Sequence, residues 1–474
     1  MPLNAIVLAA GEGTRMKSAH PKVAHKLLDK PLVWWAVRAA RDAGADRVIV
    51  VVGNGADEVR GLLEGEDVEF VEQTERLGTG HAVRVVRDAI GGFEGPVVVL
   101  SGDSPLVRPE TISALVSENR ANHNACTVLT MTPPDVSGYG RVLVEDGQVR
   151  AIIEDKDCTP EQRAELTECN SGVYCFCGGL LTDNTDKLGN DNVQHEYYLT
   201  DMVGIYVGMG EPVAHIHAAD YAELLGVNSR RQLAEATRVM QGRINGRLMD
   251  AGVTMLDPAQ VWVGPEVTIG RDTELLPQTM LWGNTSIGED CVIGPNTRLT
   301  DTRVGNGCTV DETVAQRAVL ENDVSCGPRA YLRPGTHLLD RSKAGTHVEI
   351  KNSTIGEGSK VPHLSYIGDT TMGSGVNIGA GSITCNYDGV FKHPTIIGND
   401  VFIGSDTMMV APVTIGDGAL VGASSCITRD VPAGAIALER SEQVALEGMG
   451  IKHMKKLRDK KAKQQAERKD KGNK

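Results

Sequence analysis

The sequence predicts an α/β domain with a mostly parallel sheet, followed by a β-solenoid. Residues 1 to about 228 alternate strand-like and helix-like segments, which is typical of a parallel sheet wrapped by helices. From Val263 an aliphatic residue opens each six-residue unit, a period that neither an α-helix nor a single strand produces. We therefore divide the 474 residues into an α/β domain (1–228), a linker helix (229–251), a repeat domain (252–440) and a basic tail (441–474).

Local patterns predict the elements of the first half. Segments rich in Val and Ile are predicted strands, and periodic segments between them are predicted helices. From Ser229 to Ala251 apolar residues recur at spacings of three and four, which predicts one amphipathic helix. The remaining predictions are strands at Ala5–Leu8, Arg47–Val52 and Val97–Leu100, and helices at Pro31–Ala43 and Gly80–Ala89.

The second half is dominated by the hexads. Six run from VGPEVT to IGPNTR, starting at Val263, and five from IGSDTM to ITRDVP, starting at Ile403. Units this short bury their aliphatic residues only by stacking coil on coil, with Gly or Asn at the corners. Residues from about 333 to 360 look irregular, and residues 384–394 form a polar and aromatic insertion. Insertions in solenoids often mark the binding face.

The net charge and the cysteine content limit the partners and the cellular compartment that we expect for this protein. The net charge of -14 argues against nucleic acid as a partner, although the end after Ile451 is basic and predicts a solvated, poorly ordered tail. The ten cysteines contain no CxxC pair, which is typical of a reducing compartment. No apolar run approaches the roughly 18 residues of a membrane span. We expect a soluble, cytoplasmic protein.

The stretch LAAGEGTRMKSAHPK (residues 8–22) predicts a phosphate-binding loop. It lacks the third glycine of the dinucleotide fingerprint and the pattern of the Walker loop. Its glycines let the backbone approach phosphate oxygens, and Arg15 and Lys22 can neutralise the charge of a triphosphate.

LAAGEGTRM followed by PK resembles the signature of the sugar-1-phosphate nucleotidyltransferases. Together with the hexads and GAGSITCNYDG (379–389), the chain from about Asn4 to Arg440 resembles a bacterial family of bifunctional enzymes. These are the N-acetylglucosamine-1-phosphate uridylyltransferases that are also glucosamine-1-phosphate N-acetyltransferases. The resemblance implies a Rossmann-like nucleotidyltransferase domain and a left-handed parallel β-helix, which trimerises and forms its acetyl site between subunits. It also implies Mg²⁺, UTP, acetyl-CoA, glucosamine-1-phosphate and N-acetylglucosamine-1-phosphate as ligands, and a role in cell-wall precursor synthesis.

The resemblance assigns roles to residues of the α/β domain. Arg15 and Lys22 would act on the phosphates, and Asp103 with Asn228 would bind Mg²⁺, an ion that takes few protein oxygens. The amide of Gln73 can match the edge of uracil. The nucleotide would contact Leu8, Ala9, Ala10, Gly11, Lys22, Gln73, Gly78 and Thr79. The acetamido sugar would contact Gly140, Glu154, Asn170 and Asn228.

The resemblance also assigns an acetyl-transfer site in the repeat domain. His363 would be the general base, because histidine is the residue most often used to move a proton at neutral pH. Asn377 and Asn386 would help to hold the sugar, and Tyr387 would lie beside it. The sugar phosphate would contact Arg333, Lys351, Tyr366 and Asn377. The acetyl-CoA groove would be lined by Ala380, Asn386, Tyr387, Ser405, Ala423 and Arg440.

Two departures from the family pattern and three alternatives remain open. Ser101 stands where the family often has Tyr, and Thr346-His347 stands where it commonly has Asn-Phe. Zinc held by three histidines is one alternative use of the solenoid. A nucleotidyltransferase with a purely regulatory solenoid and a non-catalytic scaffold that binds nucleotide are the others.

Overall fold

The computed structural model describes residues 2–11 and 13–472. These residues divide between Gly307 and Cys308 into two compact units. The division falls within the hexad repeat. The first unit therefore contains the α/β domain, a long helix and the first coils of the solenoid, and the second contains the later coils and a terminal helix. The domain boundaries predicted from the sequence stay predictions.

The α/β domain is built on a nine-stranded mixed sheet. The strands are β1 (Asn4–Leu8), β2 (Arg47–Val52), β3 (Glu69–Glu72), β4 (Pro96–Ser101), β5 (Cys126–Met131), β6 (Arg141–Glu145), β7 (Gln148–Ile153), β8 (Cys169–Cys177) and β9 (Val213–His217). The main path of the sheet runs β9-β5-β8-β4-β1-β2-β3, and the hairpin β6-β7 joins it at β8. Pairings along the path are parallel except at β8, which is antiparallel to both neighbours.

Helices and short turns connect these strands. A small hairpin pairs Lys26–Leu27 with Lys30–Pro31. The α-helices are α1 (Leu32–Asp42), α2 (Ala56–Leu62), α3 (Thr79–Arg84), α4 (Arg87–Ile90), α5 (Pro109–Ala121), α6 (Pro160–Glu165), α7 (Gly178–Asn184), α8 (Asp201–Met209), α9 (Arg230–Asp250) and α10 (Met449–Gly472). The 3₁₀ helices are Thr14–Met16, Lys22–Ala24, Thr185–Lys187, Tyr221–Leu224 and Pro258–Gln260.

The three predicted strands are confirmed to within one residue at each end, and one predicted helix is confirmed only in part. The helix predicted at Gly80–Ala89 is divided into α3 and α4. The N–H of Val86 bonds the carbonyl of Val83, three residues back, at 3.1 Å. This tighter turn interrupts the α-helical ladder between the two short helices.

The predicted linker helix is confirmed as α9, with its buried face only partly as expected. Ser229 caps it by accepting a hydrogen bond from the N–H of Gln232. Val239, one of the apolar residues that recur at this spacing, is exposed. Gln241 and Asn245 are buried instead, and both donate to backbone carbonyls at residues 258–261. Buried amides with partners replace part of the apolar stripe.

The hexads form the coils of a parallel β-helix with three sheets, so the predicted fold class is confirmed. In the first unit the three sheets pair Thr254–Met255, Glu274–Leu275 and Val292–Ile293; Trp262–Val263, Met280–Trp282 and Arg298–Thr300; and Thr268–Ile269, Ser286–Ile287 and Arg303–Val304. In the second unit the first sheet contains Thr309–Val310, Ser325–Cys326, Lys343–Thr346, Lys360–His363, Asn377–Ile378, Phe402–Ile403, Leu420–Val421 and Ile436–Ala437. Its second sheet contains Val314–Gln316, Tyr331–Leu332, Glu349–Lys351, Tyr366–Gly368, Ile383–Cys385, Met408–Val410 and Cys426–Ile427. Its third contains Val319–Leu320, His337–Leu338, Thr354–Ile355, Thr370–Met372, Thr395–Ile397 and Val413–Ile415.

Each position of the hexad has a physical reason. The opening aliphatic residue points inward, as Leu275 and Ile293 do at 0% exposure. The glycine that follows it allows coils to stack closely, since an ideal Cβ on Gly270 would lie 2.6 Å from the backbone of Gly288. The small fifth residue is buried and bonds a neighbouring coil, as the hydroxyl of Thr273 donates to the carbonyl of Gly288 at 2.8 Å. The repeat therefore encodes stacking rather than an isolated strand.

The irregular region predicted at about 333–360 is wrong, because the coils continue through it. The inward residues are Leu332, Leu338, Ala344, Ile350, Ile355 and Val361, all at 0% exposure. Ile350 and Ile355 are five residues apart instead of six, since one corner is shorter by one residue. The predicted insertion at 384–394 is confirmed as a loop between Ile383–Cys385 and Thr395–Ile397, with Tyr387 bridging to Lys392.

The basic tail was expected to be solvated and poorly ordered, and from Met449 to Gly472 it forms the helix α10. Its side chains are exposed from Met449 to Ala466. Within the part of the chain that the structure describes, no helix is both long and apolar enough to cross a membrane.

Candidate active sites

Two adjoining cavities open where parallel strands of the α/β domain end. One has a volume of about 680 Å³ and the other about 490 Å³. Leu8 at the end of β1, Ser101 at the end of β4, Thr79 and Asp103 line both cavities. The carboxyl edge of such a sheet is where α/β proteins hold ligands. The shared wall places Asp103 at the junction of two ligand spaces.

The predicted phosphate loop lines both cavities, with Gly11 and Lys22 at the larger one and Arg15 at the smaller one. Gly13 adopts φ 65°, and an ideal Cβ on it would lie 2.3 Å from Cβ of Lys22, so only glycine fits beside that lysine. An ideal Cβ on Gly11 has no atom within 4 Å, and Gly11 lines the larger cavity. The loop thus leaves open backbone next to a cation.

Lys22 joins the two predicted metal ligands. Its ammonium bonds Oδ2 of Asp103 and lies 3.1 Å from Oδ1 of Asn228. The backbone N–H of Val227 donates to the carbonyl of Asp103 at 2.8 Å, which ties the segment carrying Asn228 to β4. Two oxygens distant in sequence therefore converge on one positive charge.

This arrangement suits an ion that takes few protein ligands. Among the described residues no group of three or more His, Cys, Asp and Glu side chains could hold a metal. A carboxylate and an amide oxygen are hard ligands, and Mg²⁺ completes its shell with water and phosphate oxygens. The pair already accommodates a cation, which supports the fit. The zinc alternative finds no three-histidine ligand set among the described residues of a single chain.

Ser101, one of the two departures, contacts the metal-ligand candidate directly. Its hydroxyl donates to Oδ1 of Asp103 at 2.6 Å. A tyrosine hydroxyl would reach several ångströms farther from the backbone and could not make this contact from the same position. The substitution therefore changes how the carboxylate of Asp103 is held.

Arg15 lines the smaller cavity, and its side chain is exposed. The pKa of nearby Tyr139 is raised, chiefly because the phenol is partly buried, and the guanidinium of Arg15 opposes that shift. The structure thus brings a cation to the same cavity as Asp103 and Asn228, as expected for a residue acting on phosphates.

The nucleotide candidates lie around the larger cavity with one exception. Leu8, Ala10, Gly11, Lys22, Gln73, Gly78 and Thr79 line it. Ala9 is 1% exposed, and its N–H bonds the carbonyl of Val51 at 2.8 Å, so its side chain belongs to the core behind the loop. Only a backbone contact by Ala9 would be compatible with this position.

The sugar candidates gather in and beside the smaller cavity. Glu154 and Asn170 line it, and the N–H of Asn170 donates to the carbonyl of Gly140 at 2.8 Å. The amide of Asn170 also donates to the hydroxyl of Tyr174 at 2.6 Å. The pKa of Glu154 is raised, first because the carboxyl is desolvated and then because Asp157, Asp201 and Asp155 repel its charge. These residues form one polar wall.

A second cluster lies on the outer surface of the β-helix. Arg333, Lys351 and Gly368 follow one another on successive coils, and Glu349 and Tyr366 pair in the adjacent column. Arg333 donates to Glu349 at 2.9 Å, and Lys351 lies 3.5 Å from Asp369. Stacked coils thus convert positions about eighteen residues apart into neighbours.

The insertion loop completes this cluster. The amide of Asn386 donates to Oδ2 of Asp369 at 2.5 Å and lies 3.4 Å from the hydroxyl of Tyr366. An ideal Cβ on Gly368 would lie 2.5 Å from that hydroxyl and 2.6 Å from the Asn386 amide. Asn386 therefore contacts the sugar-phosphate candidate Tyr366, and its assignment to the acetyl-CoA groove stays a prediction.

Sequence reasoning missed two charged members of the cluster. Asp369 accepts from Asn352 and Asn386, and these hydrogen bonds help to lower its pKa although burial opposes them. The pKa of Lys392, on the insertion loop, is lowered because the neighbouring ammonium of Lys351 disfavours a second positive charge. The spacing of one coil from Lys351 could have revealed Asp369. Nothing local could have revealed Lys392.

His363 begins a ladder along one corner of the β-helix. The N–H groups of Gly381, Asp406 and Ser424 donate to the carbonyls of His363, Ala380 and Ser405, at 3.4, 2.7 and 2.8 Å. Arg440 donates to the carbonyl of Ala423 at 3.4 Å. The general-base candidate and four acetyl-CoA candidates, Ala380, Ser405, Ala423 and Arg440, are thereby brought into one exposed line.

Four other residues named from the sequence lie on neighbouring coils and on the insertion loop. Thr346, part of the second departure, pairs with His363 on the adjacent coil, and Asn377 pairs with Lys360. His347 has φ 55° at the corner. Tyr387 is 60% exposed, and its hydroxyl donates within its own loop to Gly389 at 2.5 Å. The departure thus lies next to the proposed base.

Comparison with known proteins agrees with both halves of the chain. Residues 5–239 match the MobA-like NTP transferase domain, and residues 266–301 and 394–429 match the bacterial transferase hexapeptide. The bifunctional protein GlmU of Streptomyces coelicolor is 50% identical over 452 residues, covering 94% of each chain. That of Streptomyces avermitilis is 49% identical over the same share. That of Geotalea uraniireducens is 46% identical over 95% of this chain and 99% of its own. The chain belongs to the family of the bifunctional protein GlmU.

Proposed function

We propose that this chain catalyses two successive transfers that yield UDP-N-acetylglucosamine. The β-helix acetylates glucosamine-1-phosphate with acetyl-CoA, and the α/β domain then transfers UMP from UTP to N-acetylglucosamine-1-phosphate. The observation that carries the proposal is the meeting of two cavities at Asp103, beside Lys22 and Asn228. Membership of a bifunctional family supports both activities.

In the α/β site a phosphate oxygen of the sugar attacks the α-phosphorus of UTP. The bond to the β-phosphate breaks, and pyrophosphate leaves. The larger cavity holds the nucleotide and the smaller cavity the acetamido sugar, so the reacting groups meet at the shared wall. Positioning and charge neutralisation supply most of the acceleration in phosphoryl transfer. Arg15 and Lys22 bring positive charge to the phosphates.

Asp103 and Asn228 hold Mg²⁺ in this proposal. When bound, the ion neutralises charge that develops on the phosphate oxygens. Ser101 fixes the carboxylate of Asp103 through its 2.6 Å hydrogen bond. Lys22, which bonds Asp103 here, is then free to bind phosphate oxygens. The choice of ion is supported by the oxygen ligands and their small number.

In the β-helix site the amine of glucosamine-1-phosphate attacks the thioester carbonyl of acetyl-CoA. A carbon–nitrogen bond forms, the carbon–sulfur bond breaks, and the amine proton passes through His363 to the departing thiol. Arg333, Lys351 and Tyr366 hold the sugar phosphate, and the ladder above His363 holds the pantetheine chain. The exposed His363 and the cations on adjacent coils support this assignment.

We extend the proposal to a cytoplasmic homotrimer formed by the β-helix. The apolar side chains of Val390 and Phe391 are 74% and 66% exposed on the insertion loop, and Phe402 is 49% exposed. A neighbouring subunit would cover them and close an acetyl site that one chain leaves open. All ten cysteines are free thiols, which suits a reducing compartment.

The two half-reactions test the proposal separately. Purified protein with acetyl-CoA and glucosamine-1-phosphate should release free thiol, and with UTP, Mg²⁺ and N-acetylglucosamine-1-phosphate it should release pyrophosphate. Pyrophosphate without any thiol would indicate a nucleotidyltransferase with a regulatory solenoid. Binding of UTP without release of pyrophosphate would indicate a scaffold.

A further inference from the structure

The side chain of Gln73 is held in one orientation at the wall of the larger cavity. Gln73 follows β3, lines that cavity and is 5% exposed. Its amide nitrogen Nε2 lies 3.1 Å from the carbonyl oxygen of Gly78 and 3.0 Å from Nδ1 of His81. Both hydrogens of the amide group are therefore directed into the protein.

The carbonyl of Gly78 decides which way the amide points. A carbonyl oxygen can only accept, so the atom that faces it must be Nε2 and not Oε1. The second hydrogen on Nε2 then needs an acceptor, which makes Nδ1 of His81 the unprotonated nitrogen and Nε2 of that ring the protonated one. Oε1 of Gln73 remains as the acceptor available to a ligand.

The backbone holds that carbonyl in place. Gly78 adopts φ 101°, and an ideal Cβ on it would lie 2.6 Å from the carbonyl oxygen of Tyr197. Two hydrogen bonds flank Gly78. The N–H of Gly80 donates to the carbonyl oxygen of Tyr197 at 2.8 Å, and the N–H of Tyr197 donates to the carbonyl oxygen of Leu77 at 2.7 Å. Only glycine fits this conformation, so the direction of the carbonyl is built into the loop.

We propose that His81 is a positioning residue which, with the Gly78 carbonyl, fixes Gln73 so that the site selects uracil over cytosine. This inference rests on the proposed uridylyltransferase function. Uracil presents an N–H at ring position 3, which can donate to Oε1. Cytosine presents a lone pair there, and the two acceptors would repel each other.

Rotating the Gln73 amide to suit cytosine would break both internal hydrogen bonds. Oε1 would then face the Gly78 carbonyl, two acceptors opposed in a buried place, and Nδ1 of His81 could donate to Oε1 only if the ring changed to its other tautomer. A site whose buried polar groups are left unpaired by the wrong substrate discriminates strongly against it. Loss of His81 as an acceptor removes one of the two restraints, so discrimination should weaken without disappearing.

The test compares UTP with CTP in the full-length protein. His81→Leu should lower the ratio of kcat/KM for UTP over CTP by about tenfold, mainly through KM. In His81→Asn the side-chain oxygen occupies the place of Nδ1, so its ratio should stay within about twofold of wild type. His217→Leu, on the edge strand β9, makes the same substitution away from both cavities and should change nothing.

The readouts separate this inference from the function on which it rests. Wild-type protein that releases no pyrophosphate with either nucleotide would contradict the proposed function. Dissociation constants for UTP and CTP, measured by calorimetry without sugar, should show the same loss of selectivity in His81→Leu whether or not turnover occurs. An unchanged UTP/CTP ratio in His81→Leu, with an unchanged KM for the sugar, would overturn the inference. A KM for the sugar that rises as much as that for UTP would also overturn it, because the effect would then be general.

Discussion

The two candidate sites of this chain are built in opposite ways. In the α/β domain, Lys22, Asp103 and Asn228 come from three distant segments and meet inside a wall shared by two cavities. On the β-helix, His363 and the ladder from Ala380 to Arg440 take one residue per coil along an exposed corner. The first site is enclosed by its own chain, whereas the second is a row of side chains on a regular surface. In the first site, exclusion of water strengthens the interactions between charged side chains. In the second site, the regular repeat fixes the position of each side chain by its place in the sequence.

Because the two sites share no residues, a substitution in one site should impair its reaction and leave the reaction at the other site intact. The largest expected effect is that of His363→Ala, which removes the proposed base and should slow thiol release by about a thousandfold. Pyrophosphate release from UTP and N-acetylglucosamine-1-phosphate should stay within about twofold of wild type. The two products are measured in separate half-reactions. Equal loss of both would mean that the variant is unfolded or that the sites are coupled.

Asp103→Asn should reduce pyrophosphate release by roughly a hundredfold or more, because it removes charge from the metal ligand and leaves Lys22 without its carboxylate partner. The residual activity should require more Mg²⁺. Thiol release is the internal control and should be unaffected. Full pyrophosphate release at the usual Mg²⁺ concentration would contradict the role given to Asp103.

The substitution Gly368→Ala tests whether the sugar-phosphate residues of the β-helix site depend on close packing around this glycine. The added methyl group would lie within 2.6 Å of both the Tyr366 hydroxyl and the Asn386 amide, which should displace the sugar-phosphate residues. Thiol release should fall by about tenfold, with a higher KM for glucosamine-1-phosphate. Gly450→Ala, which has no neighbour within 4 Å in α10, is the matched control. An unchanged KM would show that Tyr366 and Asn386 do not hold the sugar.

The smallest effect concerns stability at the enclosed site. Since the pKa of Glu154 is raised in the folded protein, its ionised form destabilises the fold above that pKa, and this penalty shrinks as the pH falls towards the ordinary glutamate value. Glu154→Gln should therefore raise the melting temperature at pH 7 to 8, and the gain should shrink at lower pH. Glu161→Gln, at an exposed carboxyl whose pKa is lowered, should give no gain. Melting curves across this pH range check both variants, and a lower melting temperature for Glu154→Gln at pH 7 would contradict the prediction.

Features that are encoded by local sequence patterns could be predicted from the sequence. Hexads and the phosphate loop are local patterns, so the fold class, the strand at Arg47–Val52 and the loop at Gly11 to Lys22 could be read directly. The five-residue step from Ile350 to Ile355 obscured coils that were present, because a fixed period of six does not allow for shortened corners.

Features that depend on tertiary neighbours could not be predicted in this way. Gln241 and Asn245 are buried against carbonyls contributed by a later turn, so their polarity concealed their burial. The contact between Lys351 and Lys392 requires the insertion loop to fold back over its coil. The hydrogen bond between Gln73 and His81 depends on the conformation of Gly78, which sequence spacing does not specify.

The most direct test of the central claim is one reaction that contains glucosamine-1-phosphate, acetyl-CoA, UTP and Mg²⁺, in which thiol and pyrophosphate are followed separately. Wild type should release both. His363→Ala should release neither until N-acetylglucosamine-1-phosphate is added, which should restore pyrophosphate alone, and Asp103→Asn should release thiol alone. Thiol release that persists in His363→Ala, or pyrophosphate release that persists in Asp103→Asn, would contradict the assignment of two transfers to these two sites.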